Sequence, residues 1–332
     1  MHLSRTSALL ASLFASSLLA ACGGSTEGVA RTGDGGTTGT GGTTGAGGTS
    51  GTTGGGGAGT TGGGGTTGGG GSAAPTAGCN ATTWPMGGTA NPQMIDVTDS
   101  TGATTARQFY FTLPTNYSAA TMAPVVYAWH YAGGTATGII SQRDYNVQPM
   151  FANAIYVAPQ GLLSTPGDAT TSGWPNTNGQ DIAFARAMIA WMNTNFCVDS
   201  SRIMSTGMSY GGIMSHTVAC QMSDVFRAVG IMSGAFFGGG RGSTCVNHPI
   251  AAWITHGDAD TMVTFANGES ARDRILATNH CGTTTHAVDP SPCVQYDGCD
   301  AGYPVVWCPV AGEGHMIPSF AAGGIATFFK QF

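Results

Sequence analysis

The segment Gly207-Met208-Ser209-Tyr210-Gly211 has the spacing Gly-x-Ser-x-Gly. That spacing suits a sharp strand-to-helix turn with the serine at its tip, where the flanking glycines leave room for neighbouring backbone. A serine hydroxyl becomes a good nucleophile only when a base takes its proton, and the base needs a carboxylate to orient it. His315 is the candidate base and Asp260 the candidate orienting acid, in the chain order serine, acid, histidine that accompanies such a turn. Asp258 is the competing carboxylate. His256 stands too close to the acid and His216 lies in the helix after the serine, so His315 is preferred to both. Acyl transfer also needs two backbone N–H groups aimed at the developing oxyanion. Tyr210, directly after the serine, supplies one; Tyr131 or Ala132, in the loop after Trp129, supplies the other. His130 is read as a residue that only shapes this loop.

These residues must be held by regular elements. Apolar runs bounded by turn residues predict strands at 108–113, 125–129, 154–158, 202–206, 228–232, 251–255 and 304–307. The later runs are continuous, not alternating, as expected for strands buried on both faces of a parallel sheet. Between them, Asp181 is expected to N-cap a helix with Ile182, Ala185, Ile189, Met192 and Phe196 on one face. Residues 213–221 and 325–332 predict two further helices. Strand–helix alternation of this length argues an α/β fold with a mostly parallel sheet. Ligands in such folds bind at the carboxyl ends of the strands. Ser209, Asp260, His315 and the loop after Trp129 all fall there. Residues 132–150 and 160–180 are expected to be loops over the site that set specificity.

Composition narrows the alternatives. The chain has 332 residues, of which 8% are charged, and a net charge of −6. Lys330 is its one lysine, and no basic patch exists to neutralise phosphates, which excludes nucleic acid as a partner. No apolar run reaches the ~18 residues of a membrane helix. Of the 55 glycines, 27 fall within residues 23–78, a Gly/Thr-rich stretch that cannot bury a core. It reads as a flexible tether with an r.m.s. span of about 40–45 Å. Residues 1–22 read as a signal peptide with Arg5 before a short apolar run. Leu19-Ala20-Ala21-Cys22 resembles the bacterial lipoprotein lipobox, which implies a lipid on Cys22, a membrane anchor and export to the cell surface. Residues 79–332 are then the folded domain.

Eight cysteines remain beyond Cys22: Cys79, Cys197, Cys220, Cys245, Cys281, Cys293, Cys299 and Cys308. An even number in an oxidising compartment predicts four disulfides, among 105 possible pairings. Cys293 with Cys299 would close a small loop. The last four cysteines with His280 and His286 could be read as a zinc site, but no Cys-x-x-Cys spacing supports it, and no metal is expected.

Several further segments occur together in one order. They are Gly173-Trp174-Pro175-Asn176 with Gly179-Gln180-Asp181, then Cys197-Val198-Asp199-Ser200-Ser201-Arg202-Ile203, then Thr206 through Gly212. His256-Gly257-Asp258-Ala259-Asp260-Thr261-Met262-Val263 and Cys293-Val294-Gln295-Tyr296-Asp297-Gly298-Cys299 follow. Together they resemble the feruloyl esterase and polyhydroxybutyrate depolymerase-like group of carbohydrate esterases. Gly302-Tyr303-Pro304-Val305-Val306-Trp307-Cys308, leading to Gly314-His315, is similar to secreted feruloyl esterases in particular. The resemblance covers most of residues 79–332. It implies an α/β-hydrolase fold, no cofactor, and hydrolysis of a carboxylic ester on an extracellular polymer, with Ser209 as nucleophile, Asp260 as orienter and His315 as base.

Two departures stand out: His130-Tyr131 where related sequences carry His-Gly, and Gly312-Glu313-Gly314 before the histidine. Trp174 and Tyr296 are expected in the substrate wall, and a monomer is expected. The leading expectation is a hydroxycinnamate esterase acting on plant cell-wall polysaccharide. A polyhydroxybutyrate-type depolymerase or an acetyl-xylan esterase would use the same chemistry. A non-catalytic glycan-binding surface protein is the reading outside catalysis.

Overall fold

The computed structural model describes residues 74–163, 171–237 and 244–332. The expected signal peptide at 1–22 with Cys22, and residues 23–73 of the expected tether, lie outside the described residues. So do residues 164–170 of the expected covering loops.

In chain order the elements are β1 (Gln93–Thr98), β2 (Thr104–Thr112), β3 (Ala123–Trp129), α1 (Ala136–Ser141), β4 (Ile155–Pro159), β5 (Leu162–Leu163) and β6 (Ser172–Gly173). There follow α2 (Gln180–Asn195), β7 (Val198–Met208), α3 (Tyr210–Gln221), β8 (Ala228–Met232), β9 (Ala251–Gly257) and α4 (Phe265–Thr278). The chain ends with β10 (Thr285–Ala287), β11 (Val294–Tyr296), β12 (Val305–Val310) and α5 (Ala321–Phe329). Ten strands form one sheet in the order β1-β2-β4-β3-β7-β8-β9-β12-β11-β10. The six inner strands from β4 to β12 run parallel. The outer strands on both sides are antiparallel.

The pleat explains the layers. Every residue of β3, β4, β8 and β9 is buried, as continuous apolar runs require when both faces are covered. Alternate residues of β3 serve opposite faces. Val125, Tyr127 and Trp129 join a core with Phe184 of α2, Val218 of α3 and Ile275 of α4. Val126 and Ala128 join the other, with Ile139 of α1 and Ile325 of α5.

The predicted inner strands and the helix after Ser209 are where they were expected, while several details differ. Asp181 does not cap α2. Gly179 occupies the N-cap in a left-handed conformation, and the side chain of Asn176 accepts the N–H groups of Asp181 and Ile182 instead. Asp181 is buried and paired with buried Arg107 at 2.8 Å. Residues 132–150 are not an open loop: they contain α1, and Tyr145 and Val147 belong to the core. Strands β1, β5, β6, β10 and β11 and helices α1 and α4 were not anticipated.

Among the described residues four disulfides form: Cys79–Cys197, Cys220–Cys245, Cys281–Cys299 and Cys293–Cys308. The suggested pairing of Cys293 with Cys299 is therefore corrected. Cys293 precedes β11 and reaches across to Cys308 in neighbouring β12, while Cys299 turns back to Cys281 at the end of α4. The four cysteines of the alternative zinc reading are all consumed in these bonds.

Candidate active site

Strand β7 delivers Ser209 and α3 begins at the next residue. Ser209 has φ 56° and ψ −120°, a conformation that L-residues adopt only when the surroundings enforce it, at a cost of about 1–3 kcal/mol. The surroundings are visible. A Cβ on Gly207 would fall on the backbone of Gly211, and one on Gly211 would fall on the Trp129 carbonyl. The Ser209 N–H donates to the Met232 carbonyl of β8 at 3.0 Å. Glycine at 207 and 211 is thus a steric requirement of the crossing.

The histidine and the acid arrive from the next two parallel strands. After β9, the chain at Gly257–Asp260 is joined to the turn after β12: Asp258 N–H donates to Val310 and Ala259 N–H to Glu313, each at 3.0 Å. An added Cβ at Gly257 would overlap the Glu313 carbonyl. This close approach sets the distance between Asp260 and His315. Oδ2 of Asp260 lies 2.7 Å from Nδ1 of His315, and Nε2 of His315 lies 2.8 Å from Oγ of Ser209. Asp258 is not in this line. Its carboxylate accepts the Gly312 N–H at 2.7 Å and so steadies the turn before His315.

Asp260 is buried, yet its carboxyl is held well below the ordinary carboxylate range. Burial opposes ionisation, and the nearby imidazoles of His256 and His315 with the N–H of Met262 outweigh it. An ionised carboxylate accepts, so Nδ1 of His315 carries the proton and Nε2 presents its lone pair to the Ser209 hydroxyl. The arrangement can take a proton from the serine and hold it on the imidazole.

The loop after β3 lies against the start of α3. The Tyr210 N–H heads that helix, where the dipole favours negative charge. Among the described residues, no hydrogen-bond partner is found for the N–H of Tyr131 or of Ala132, whereas Gly133 and Gly134 donate to Ser172 and Tyr131. His130 is fully buried and its imidazole is pushed down to about 4, chiefly by burial. Its Nδ1 donates to the Tyr131 carbonyl at 2.8 Å and its Nε2 accepts the Gly161 N–H at 2.9 Å. The His130 side chain shapes the loop, as its sequence context suggested.

Trp174 and Tyr296 do not line a substrate wall. Trp174 is 2% exposed, packs edge-on against Trp129, and donates Nε1–H to the His130 carbonyl at 2.8 Å. It props the loop from beneath. Gln295 pairs with Val306 and Val294 with Trp307, so Tyr296 is level with the first residue of β12. His315 follows the last. The length of β12, roughly 17 Å at the rise of a strand, separates them.

Two supporting residues were missed. The hydroxyl of Tyr145 donates to the Trp129 carbonyl at 2.6 Å, from a run in which Arg143, Asp144, Tyr145 and Asn146 all have φ between 53° and 60°. Ser233 bonds the Met316 carbonyl just beyond His315 at 3.2 Å. Only the turn-forming Asp144 and Asn146 hinted at the first; Ser233 belongs to a Ser233-Gly234 pair that shares in the family resemblance, but no role was attached to it.

Comparison with known proteins gives a consistent picture. A model of the prolyl oligopeptidase family matches residues 168–237. Feruloyl esterase D of Neurospora crassa is 32% identical over 284 residues, which are 78% of this chain and 91% of that protein. A probable feruloyl esterase C of Aspergillus niger is 32% identical over 182 residues, 53% of this chain and 63% of its own length. Among solved structures, the acetyl xylan esterase from Aspergillus awamori matches with TM-score 0.53 at 17% identity, over 72% of this chain and 99% of that one. The fold is the α/β-hydrolase fold.

Proposed function

We propose a specific activity for this chain, which belongs to the feruloyl esterase family: release of hydroxycinnamates such as ferulate from plant cell-wall polysaccharide. The chain is a serine carboxylic ester hydrolase of the carbohydrate esterase kind. The observation that carries the finer reading is the 32% identity over 91% of a feruloyl esterase; the line Ser209–His315–Asp260 at 2.8 and 2.7 Å supports the ester hydrolysis that the alternatives share.

Ser209 Oγ attacks the ester carbonyl while His315 Nε2 takes its proton. Asp260 keeps the imidazole oriented and balances its charge. The N–H of Tyr210 and that of Tyr131 or Ala132 receive the oxyanion, an effect worth about 10²–10³-fold per donor. His315 then protonates the leaving alcohol, and the acyl group stays on Ser209. Water enters, loses a proton to His315 and attacks the acyl-enzyme. The acid departs and Ser209 recovers its proton.

The domain boundaries, export and anchoring belong to the same reading. Residues 1–22 direct export, Cys22 carries lipid, 23–78 tether, and 79–332 catalyse as a monomer. The point where the tether enters supports it. Cys79 is bonded to Cys197, and the Val198 N–H donates to Thr76 Oγ1 at 3.0 Å, so the chain joins the domain at the start of β7. Ser209 follows the far end of β7; because β7 bulges between Val198 and Ile203, Val198–Gly207 runs beside Ala123–Trp129 of β3, roughly 20 Å.

The test compares the full chain on methyl ferulate, acetylated xylan and suspended polyhydroxybutyrate. Ferulate release faster than acetate release, with no clearing of the polyester, supports the reading. Clearing of the polyester without ferulate release overturns the substrate assignment while leaving ester hydrolysis intact.

A further inference from the structure

His256 stands near the end of β9, four residues before Asp260, and takes no part in the steps above. Its ring is fully buried. Nε2 lies 2.7 Å from the Val263 carbonyl oxygen and 3.3 Å from Oδ2 of Asp260. A carbonyl can only accept, so Nε2 carries the proton. The same N–H is within reach of the carboxylate. Nδ1 then holds the lone pair, and it has no partner among the described residues. A proton on Nδ1 would be a buried donor left unmet.

Asp260 therefore sits among four N–H groups. Oδ1 accepts from the backbone of Met262 at 2.9 Å and Val263 at 3.0 Å. Oδ2 faces Nδ1 of His315 at 2.7 Å and Nε2 of His256 at 3.3 Å. Two imidazoles address one oxygen. The fold keeps a slot for the second. Gly268 interrupts α4 beside the ring, where an added Cβ would overlap Nδ1 of His256, although glycine is a poor helix residue. Phe265 of α4 packs edge-on at 6.0 Å. From α3 the group that acts on the ring is His216, whose own imidazole is pushed down to about 3, first by burial and then by His256. The titratable neighbours of His256 are thus Asp260 and His216; α4 contributes Phe265 and Gly268.

The geometry points to His256 as a positioning residue of the ester-hydrolysing site: its Nε2–H, shared between Val263 and Asp260, fixes the carboxylate and draws charge from the oxygen that faces His315. This rests on the roles proposed above for Ser209, Asp260 and His315. Without the donor, the charge on Oδ2 falls to His315 alone, and the imidazolium is held more tightly. The carboxylate is also freer to turn, so the chemical step slows.

The test uses the full chain and p-nitrophenyl acetate as probe. His256→Leu has no donor; His256→Gln keeps an N–H near the place of Nε2. The leucine variant is expected to lose about tenfold in kcat with KM within about twofold. The acid limb of its kcat/KM profile moves up by roughly half a pH unit. The glutamine variant recovers most of both effects. An unmoved acid limb in His256→Leu, or equal losses in the two variants, reduces His256 to packing and overturns the inference. Ser209→Ala, run alongside, separates the failures: activity retained there defeats the roles proposed for the three residues. An inactive Ser209→Ala beside a wild-type-like His256→Leu defeats only the inference about His256. If the leucine variant does not fold, nitrogen-15 NMR of histidine-labelled wild type reads the tautomer at pH 8. The Nε2–H form at His256 supports the inference, and the Nδ1–H form overturns it.

Discussion

Gly211 passes so close to Trp129 that a Cβ on the glycine would fall on the tryptophan carbonyl oxygen. The start of the nucleophile helix and the end of β3 are therefore in direct backbone contact. Whatever separates them moves the Tyr210 N–H away from the Tyr131–Ala132 loop. Gly211→Ala should lower the Tm, because the added methyl meets backbone that must move to admit it, and its folded fraction reports on the coupling. It should lose about 10²-fold in kcat, since a displacement of the order of 1 Å costs that much in a preorganised site. Steady-state kinetics beside a circular dichroism spectrum checks this; wild-type kcat in the alanine variant would contradict the coupling.

The same loop is propped by Trp174. Trp174→Phe keeps an aromatic ring against Trp129 but deletes the bond from Nε1 to the His130 carbonyl. A buried carbonyl left unmet costs about 1–3 kcal/mol. A lower Tm by several degrees is expected, together with a fall in kcat at nearly constant KM. A rise in KM alone would return Trp174 to the substrate wall.

Asp144 carries a pH signature. Its carboxyl is buried, neither oxygen has a partner among the described residues, and burial pushes it up to about 8. In the unfolded chain it titrates at about 3.9. Between those values the folded protein holds a proton that the unfolded chain has lost, so stability from this group falls as pH rises from about 4 to about 8, then levels off. Asp144→Asn removes that decline. The variant should melt higher than wild type at pH 8 and close to it at pH 4, by calorimetry. Equal Tm differences at the two pH values would contradict the assignment.

How much of this was legible beforehand depends on what each feature required. That Ser209, Asp260 and His315 meet could be read because each follows a continuous apolar strand, and parallel strands deliver their carboxyl ends to one edge. Trp174 and Tyr296 were misread because residue type says nothing about which end of a sheet, or which side of a loop, an aromatic occupies. Tyr296 needed the antiparallel register of β11 on β12 to be placed. The cysteine pairs were beyond reach because pairing is decided by strand adjacency, as between β11 and β12. Helix α4 went unseen because its core contacts are few, with Gly268, Ala271 and Ile275 as its buried residues. The left-handed run at 143–146 is a tertiary outcome that local preference does not encode.

The central claim is that Ser209 attacks the ester with His315 as its base. The direct measurement is the rate of methyl ferulate hydrolysis by the full chain and by Ser209→Ala, with folding of both verified by circular dichroism. The account predicts a loss of at least about 10⁴-fold in the alanine variant. A rate within tenfold of wild type would contradict it.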